Sequence, residues 1–173
     1  MMIEDIAGNI LPISAITNIK SFKSDLEFGL KNEDHILDLI KKNFKDYKNI
    51  KNTKELYNEF CLWDFESEEG VKFELKTRRF IKNKYSTTLL PVSKITGSKD
   101  QYFIFNFIDY IGYIKFDFDV FKKFNTQMIK VNRVDRYDKP KEHFLIPISC
   151  LIDLKPPPEN NCLIMDPYIF TDS

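Results

Sequence analysis

Asp64-Phe65-Glu66-Ser67-Glu68-Glu69-Gly70-Val71-Lys72-Phe73-Glu74-Leu75-Lys76 is the stretch whose reading decides the fold. Side chains alternate across a strand, so Glu74 and Lys76 share one face while Val71, Phe73 and Leu75 point to the other and are available for a core. Upstream, Cys61-Leu62-Trp63-Asp64-Phe65 reads as a strand with Asp64 near its end, and Glu66 to Gly70 reads as the turn. The expected unit is a β-hairpin with strands near 60–66 and 71–79. Its geometry converges two carboxylates, Asp64 and Glu74, and one ammonium, Lys76, at one point.

Carboxylate oxygens are hard donors suited to Mg²⁺. A cation held there polarises a phosphoryl oxygen and activates water, and a neighbouring lysine orients that water or neutralises developing charge. The bare pattern acidic-x-Lys is not specific: it occurs at Asp46-Tyr47-Lys48, Glu74-Leu75-Lys76 and Asp153-Leu154-Lys155. The first falls at an expected helix end, where a lysine is favoured by the helix dipole. The third runs into Pro156-Pro157-Pro158 with no short hairpin before it. Only the middle one joins an apolar strand, an upstream aspartate and an acidic helix before both. The competing reading is a solvated hairpin face with alternating charges.

Asp64, Glu74 and Lys76 together resemble the motif of the PD-(D/E)XK nuclease superfamily, which includes restriction endonucleases, phage-type exonucleases and junction resolvases. Trp63 stands where that motif has its proline. From Phe28 to Lys94 the chain is also similar to a viral or phage branch, in which a helix with a glycine and then a glutamate (Gly29, Glu33) precedes the hairpin. A basic, threonine-bearing segment (Arg78-Arg79, Tyr85-Ser86-Thr87-Thr88) follows it.

The resemblance implies an α/β fold with a central mixed β-sheet flanked by helices, restriction-endonuclease-like, in a single domain spanning 1–173. It implies a Mg²⁺- or Mn²⁺-dependent nuclease acting on DNA. Asp64 and Glu74 would be metal ligands, with the Leu75 carbonyl and Glu33 completing the set, and Lys76 would act at the scissile phosphate. Glu27, Asp34 and Asp38 lie on the same expected helix as Glu33 and compete with it. Arg78, Arg79, Lys82, Lys84, Tyr85, Thr87, Thr88 and Lys94 would contact the nucleic-acid backbone, with Lys99 extending the basic run; arginine forks suit phosphate oxygens and hydroxyls donate to them. The alternative is a nuclease-like domain without catalysis that binds nucleic acid or protein. A homodimer would follow from the need to cut two strands with one small domain.

A chain of 173 residues is ordinarily one domain with a substantial core. Phenylalanine is abundant at 16 residues, but like Lys, Asn, Ile and Tyr it has AT-rich codons, so the enrichment carries little functional weight. Lys and Arg number 26 against 26 Asp and Glu, and zero net charge argues against a broad polyanion binder. The three cysteines, Cys61, Cys150 and Cys162, lack zinc spacing, and His35 and His143 are far apart in sequence. Cys61 and Cys150 read as core residues of apolar strands in a reducing compartment, the cytoplasm or a host nucleus. The N-terminus lacks a basic leader, no apolar stretch is long enough for a bilayer, and no membrane association is expected.

Outward from the hairpin, residues 1–22 read as an arm. Leu26, Leu30, Ile36, Leu37, Ile40 and Phe44 keep helical spacing over 26–47. Asn52 with Glu55 reads as a capping box for a helix over 53–60. Residues 80–100 read as a basic loop. Residues 102–108 and 110–118 read as a second hairpin, 120–124 as one helical turn, and 144–154 as a last strand broken by Pro147. The tail from 156 to 173 begins with three prolines and leaves the sheet.

Overall fold

The computed structural model describes residues 2–4, 10–12, 33–97, 100–130 and 139–154. Gly29, Glu27, Lys99, Cys162 and the tail lie outside the described residues. Strands β1 (Met2–Glu4) and β2 (Ile10–Pro12) pair antiparallel, Ile3 opposite Leu11. Helix α1 covers 33–43. Its 3.6-residue repeat buries Ile36, Leu39 and Ile40, with Leu37 and Phe44 packed beside them.

The main sheet has six strands in the order β11-β8-β7-β5-β4-β3, with β3 Lys51–Asn52, β4 Phe65–Glu66, β5 Lys72–Thr77, β7 Gln101–Asn106, β8 Ile111–Lys115 and β11 Ile152–Asp153. It is mixed: β5 and β7 run parallel, while the other pairs are antiparallel. Parallel neighbours need a long connection. Here it is the excursion 78–100, which contributes β6 (Thr87–Pro91) to a second sheet of order β6-β10-β9, with β9 Thr126–Ile129 and β10 Lys141–Pro147.

The two faces of the main sheet carry two cores. Phe65, Phe73, Tyr102 and Ile104 pack with α1 on one face. Phe103, Phe105, Phe107 and Ile114 pack on the other with Leu90 of β6, Ile146 of β10 and Phe121 of α3 (Phe118–Phe121). Every residue of β7 is buried, as expected of a central strand covered on both sides. The molecule is therefore α/β, with a mixed multi-strand sheet and few helices. No helix among the described residues is long and apolar enough to cross a membrane.

Several sequence expectations shift. The strand expected at 60–66 shortens to Phe65–Glu66, because 62–64 bend to meet helix α2 (Thr53–Leu56). The stretch 80–100, read as a loop, contains β6 and two 3-10 turns, Lys82–Lys84 and Val92–Lys94. The last strand ends at Pro147, passes through a 3-10 turn at Ile148–Cys150 and resumes as β11 in the other sheet. Cys150 is exposed and Cys61 half-buried, so neither is the core residue expected.

Candidate active site

The hairpin β4–β5 forms with Phe65 opposite Phe73 and Glu66 opposite Lys72. Ser67 N–H donates to the Val71 carbonyl at 3.0 Å, and Gly70 sits at φ +82°, a conformation that glycine adopts without a Cβ clash. Continuing the register places Asp64 opposite Glu74. Asp64 N–H donates to the Phe73 carbonyl at 3.0 Å, and then the ladder changes partner: Leu75 N–H donates to the Asp64 carboxylate, Oδ2, at 2.7 Å. On a strand the N–H and C=O of one residue point to the same side. The Leu75 carbonyl therefore faces the edge where Asp64 lies, beyond the end of β4.

The bend that presents Asp64 is built from α2. Asn52 caps this helix by accepting from Lys54 N–H at 2.9 Å. Thr53, buried, donates from Oγ1 to the Trp63 carbonyl at 2.6 Å and from N–H to the Asp64 carbonyl at 2.9 Å. Trp63 Nε1–H donates to Glu66 at 2.7 Å, and the Lys72 ammonium lies 4.2 Å from the Trp63 ring centre.

Glu74 is 2 % exposed. A buried carboxylate is tolerated only with charge partners. Two ammoniums supply them at the same oxygen: Lys76 Nζ at 2.5 Å and Lys94 Nζ at 2.9 Å from Oε1. Lys94 also donates to the Leu62 carbonyl at 2.6 Å, tying the bend before Asp64 to the site. The other oxygen, Glu74 Oε2, is buried and has no hydrogen-bond partner among the described residues. Burial, followed by the negative charge of Glu74, pushes the Asp64 carboxyl up to about 6; the Leu75 N–H and then the two lysines pull the other way. Two carboxylates and two ammoniums thus meet in a poorly hydrated corner.

The expected residues separate into three sets. Asp64, Glu74 and Lys76 come together, with the Leu75 backbone beside them. Lys94, expected on the nucleic-acid surface, joins them from the turn after β6. The sequence signal for it was slight: Pro91 ends β6 and starts the turn that delivers Lys94. Glu33 stands apart. Its carboxylate takes Lys54 at 2.9 and 3.0 Å and Asn52 Nδ2 at 3.2 Å. Asp34 and Asp38 are exposed on α1. Among the described residues no group of three or more His, Cys, Asp or Glu side chains gathers as a metal site.

Arg78 is half-buried in a different role. Its guanidinium donates to Thr88 Oγ1 at 3.3 Å and to the Leu89 carbonyl, and lies 5.9 Å from the Phe105 ring centre. Burial lowers its pKa from the ordinary arginine value. Arg78 and the buried Thr88 therefore pin β6 to the end of β5. Thr87 is half-buried opposite Pro147, whereas Arg79, Lys82, Lys84 and Tyr85 reach the surface beyond β5. His35 is exposed, and His143 is buried with Nδ1 2.8 Å from the Lys141 carbonyl; neither is near the carboxylates' hydrogen-bond network.

Comparison of the chain with family models, with curated proteins and with solved structures found no match. The chemistry of the site therefore rests on its own geometry. The donors fit Mg²⁺, which commonly takes one or two carboxylates and keeps several waters. Glu74 Oε2 supplies a buried acceptor without a partner among the described residues, beside the Asp64 carboxylate.

Proposed function

We propose that this protein is a Mg²⁺-dependent nuclease, also served by Mn²⁺, that hydrolyses phosphodiester bonds of DNA at Asp64, Glu74 and Lys76. The observation that carries this reading is the buried Glu74 Oε2 beside Asp64, without a hydrogen-bond partner among the described residues. Asp64, Glu74 and the Leu75 carbonyl would hold the ion. When bound, Mg²⁺ supplies polarisation of a phosphoryl oxygen and lowers the pKa of water. The chain's own residues do the positioning. Leu75 N–H fixes the Asp64 carboxylate, and Thr53 and Lys94 fix the bend that bears it. Lys76 places its charge where the phosphate and attacking water would stand.

The finer fold assignment, restriction-endonuclease-like, belongs to the same proposal. It is supported by a mixed sheet whose hairpin carries the carboxylates, with α1 covering the opposite face. Glu33 enters only as a residue that orders Asn52 and Lys54. Two copies acting together would account for cutting both strands.

One observation favours a second reading. Two ammoniums on Glu74 Oε1 make a cluster that is neutral without any ion, as expected of a nuclease-like domain that binds nucleic acid or protein without catalysis. Incubation of plasmid and linear DNA with Mg²⁺, Mn²⁺ or EDTA separates the two. Cleavage by wild type in either metal, absent in EDTA and absent for Asp64→Asn and Glu74→Gln, establishes the enzyme. Binding without cleavage establishes the second reading.

A further inference from the structure

The described lysines are not equivalent. Lys54, Lys76, Lys94, Lys115 and Lys122 each pair with a carboxylate. Lys82 and Lys84 make no such pair among the described residues and are steadied by rings instead. Lys82 Nζ lies 3.7 Å from the Tyr110 ring centre, and Lys84 Nζ lies 5.7 Å from that of Phe80 and 5.4 Å from that of Tyr85. Asp109 accepts the Lys82 backbone N–H at 2.7 Å, and the Asp153 carboxylate lies near the hydroxyl of Tyr110. A cation over a ring keeps its N–H donors for an anion while losing side-chain freedom.

Lys82 and Lys84 are among the residues that form one wall of an open groove of about 500 Å³ between residues 82–86 and Ile148, Ser149 and Leu151. Among the described residues no carboxylate lines it. Ile148 N–H, bonded to the Ser86 carbonyl at 3.0 Å, joins the walls. Ile148 and Leu151 belong to the second core and are nearly buried, giving the groove an apolar floor. Tyr85 is 54 % exposed, with its ring edge-on to Phe80 at 5.3 Å. Cations without an ion-pair partner among the described residues, an exposed aromatic ring and an apolar floor are the parts with which proteins hold single-stranded nucleic acid.

We propose that this groove binds an unpaired nucleotide of single-stranded DNA, its phosphate on Lys82 and Lys84 and its base against Tyr85 and the Ile148–Leu151 floor. The proposal rests on the nuclease reading and deepens it by naming the substrate class. Strand β6 links the groove to the candidate site: Ser86 borders the groove, and the turn after Pro91 delivers Lys94 to Glu74. The five residues of β6 span roughly 17 Å at about 3.3 Å each. A strand held in the groove is thus anchored at a fixed remove from the carboxylates.

The test is fluorescence anisotropy in EDTA, with a labelled single strand of DNA, its duplex and the matching RNA strand as separate arms. The single DNA strand should bind at least about tenfold tighter than the duplex. Tyr85→Leu should weaken single-strand binding about tenfold, the loss of one stacked base, and leave duplex binding unchanged. Lys82→Gln with Lys84→Gln should lower single-strand affinity and reduce the salt slope by about 1.4, the value for two phosphates. Equal affinity for single strand and duplex, or an unaffected Tyr85→Leu, overturns the groove; tighter RNA binding overturns the choice of DNA. Because binding is read without metal, its failure leaves the Asp64–Glu74 site standing. Binding with no cleavage retires the nuclease but not the groove.

Discussion

Replacing Asp64 with asparagine should stabilise the protein at neutral pH, and the gain should appear only as pH rises. In the folded chain the Asp64 carboxyl titrates at about 6, against 3.8 for the ordinary group. A group whose pKa is raised by folding binds its proton more tightly in the folded state. Its protonated form therefore contributes stability that is complete below about pH 4 and lost as pH passes through about 6. A shift of about two units corresponds to roughly 3 kcal/mol at pH 8. Asparagine removes the charge and keeps an oxygen to accept Leu75 N–H. Urea titrations of wild type and Asp64→Asn in EDTA, from pH 4 to pH 8, isolate this charge cluster because the titrations of remote groups cancel in the difference. The stability difference should be near zero at pH 4 and reach about 2–3 kcal/mol at pH 8, about 4–12 °C in Tm for a domain of this size. A difference that is flat with pH, or a variant less stable than wild type at pH 8, refutes the picture of a desolvated carboxylate beside Glu74.

Glu74 should behave in the opposite way. It is the shared partner of Lys76 and Lys94, so Glu74→Ala should cost about 2–4 kcal/mol in EDTA, read as a lowered urea midpoint with unchanged m. Mg²⁺ should raise the wild-type Tm by ligand linkage and leave Asp64→Ala unmoved in differential scanning calorimetry; equal rises would place the ion elsewhere. If the proposed nuclease site is right, Lys76→Ala should lower single-turnover cleavage at least a hundredfold with DNA affinity nearly constant, because its charge would stand at the reacting phosphate. Arg78→Ala should lower stability by about 2–3 kcal/mol with little change in DNA binding, since its donors are spent on Thr88 and Leu89.

The hairpin was legible because its determinants are local. Alternation at Val71, Phe73 and Leu75 fixed which face is buried, Gly70 fixed the turn, and Asn52 fixed the start of α2. The helical spacing of Ile36 and Ile40 and the paired strands β7 and β8 were legible for the same reason. Register places Glu74 and Lys76 on one face, and the bend before β4, held by Thr53 and Lys94, brings Asp64 to them.

What the sequence could not decide were contacts set by distant segments. Lys94 and Lys76 are equivalent in composition, yet Lys94 reaches Glu74 because the crossover that parallel strands require carries it back over the sheet. Arg78 continues the Glu74–Lys76 alternation and looks like a phosphate ligand, but β6 arrives above it and takes its donors. Glu33 reads as a candidate ligand, but Lys54 of α2 and its cap Asn52 take its carboxylate. Local periodicity determines which side of a strand a residue occupies. Only tertiary packing determines what lies on that side, because the desolvation of a charge depends on groups far away in the chain.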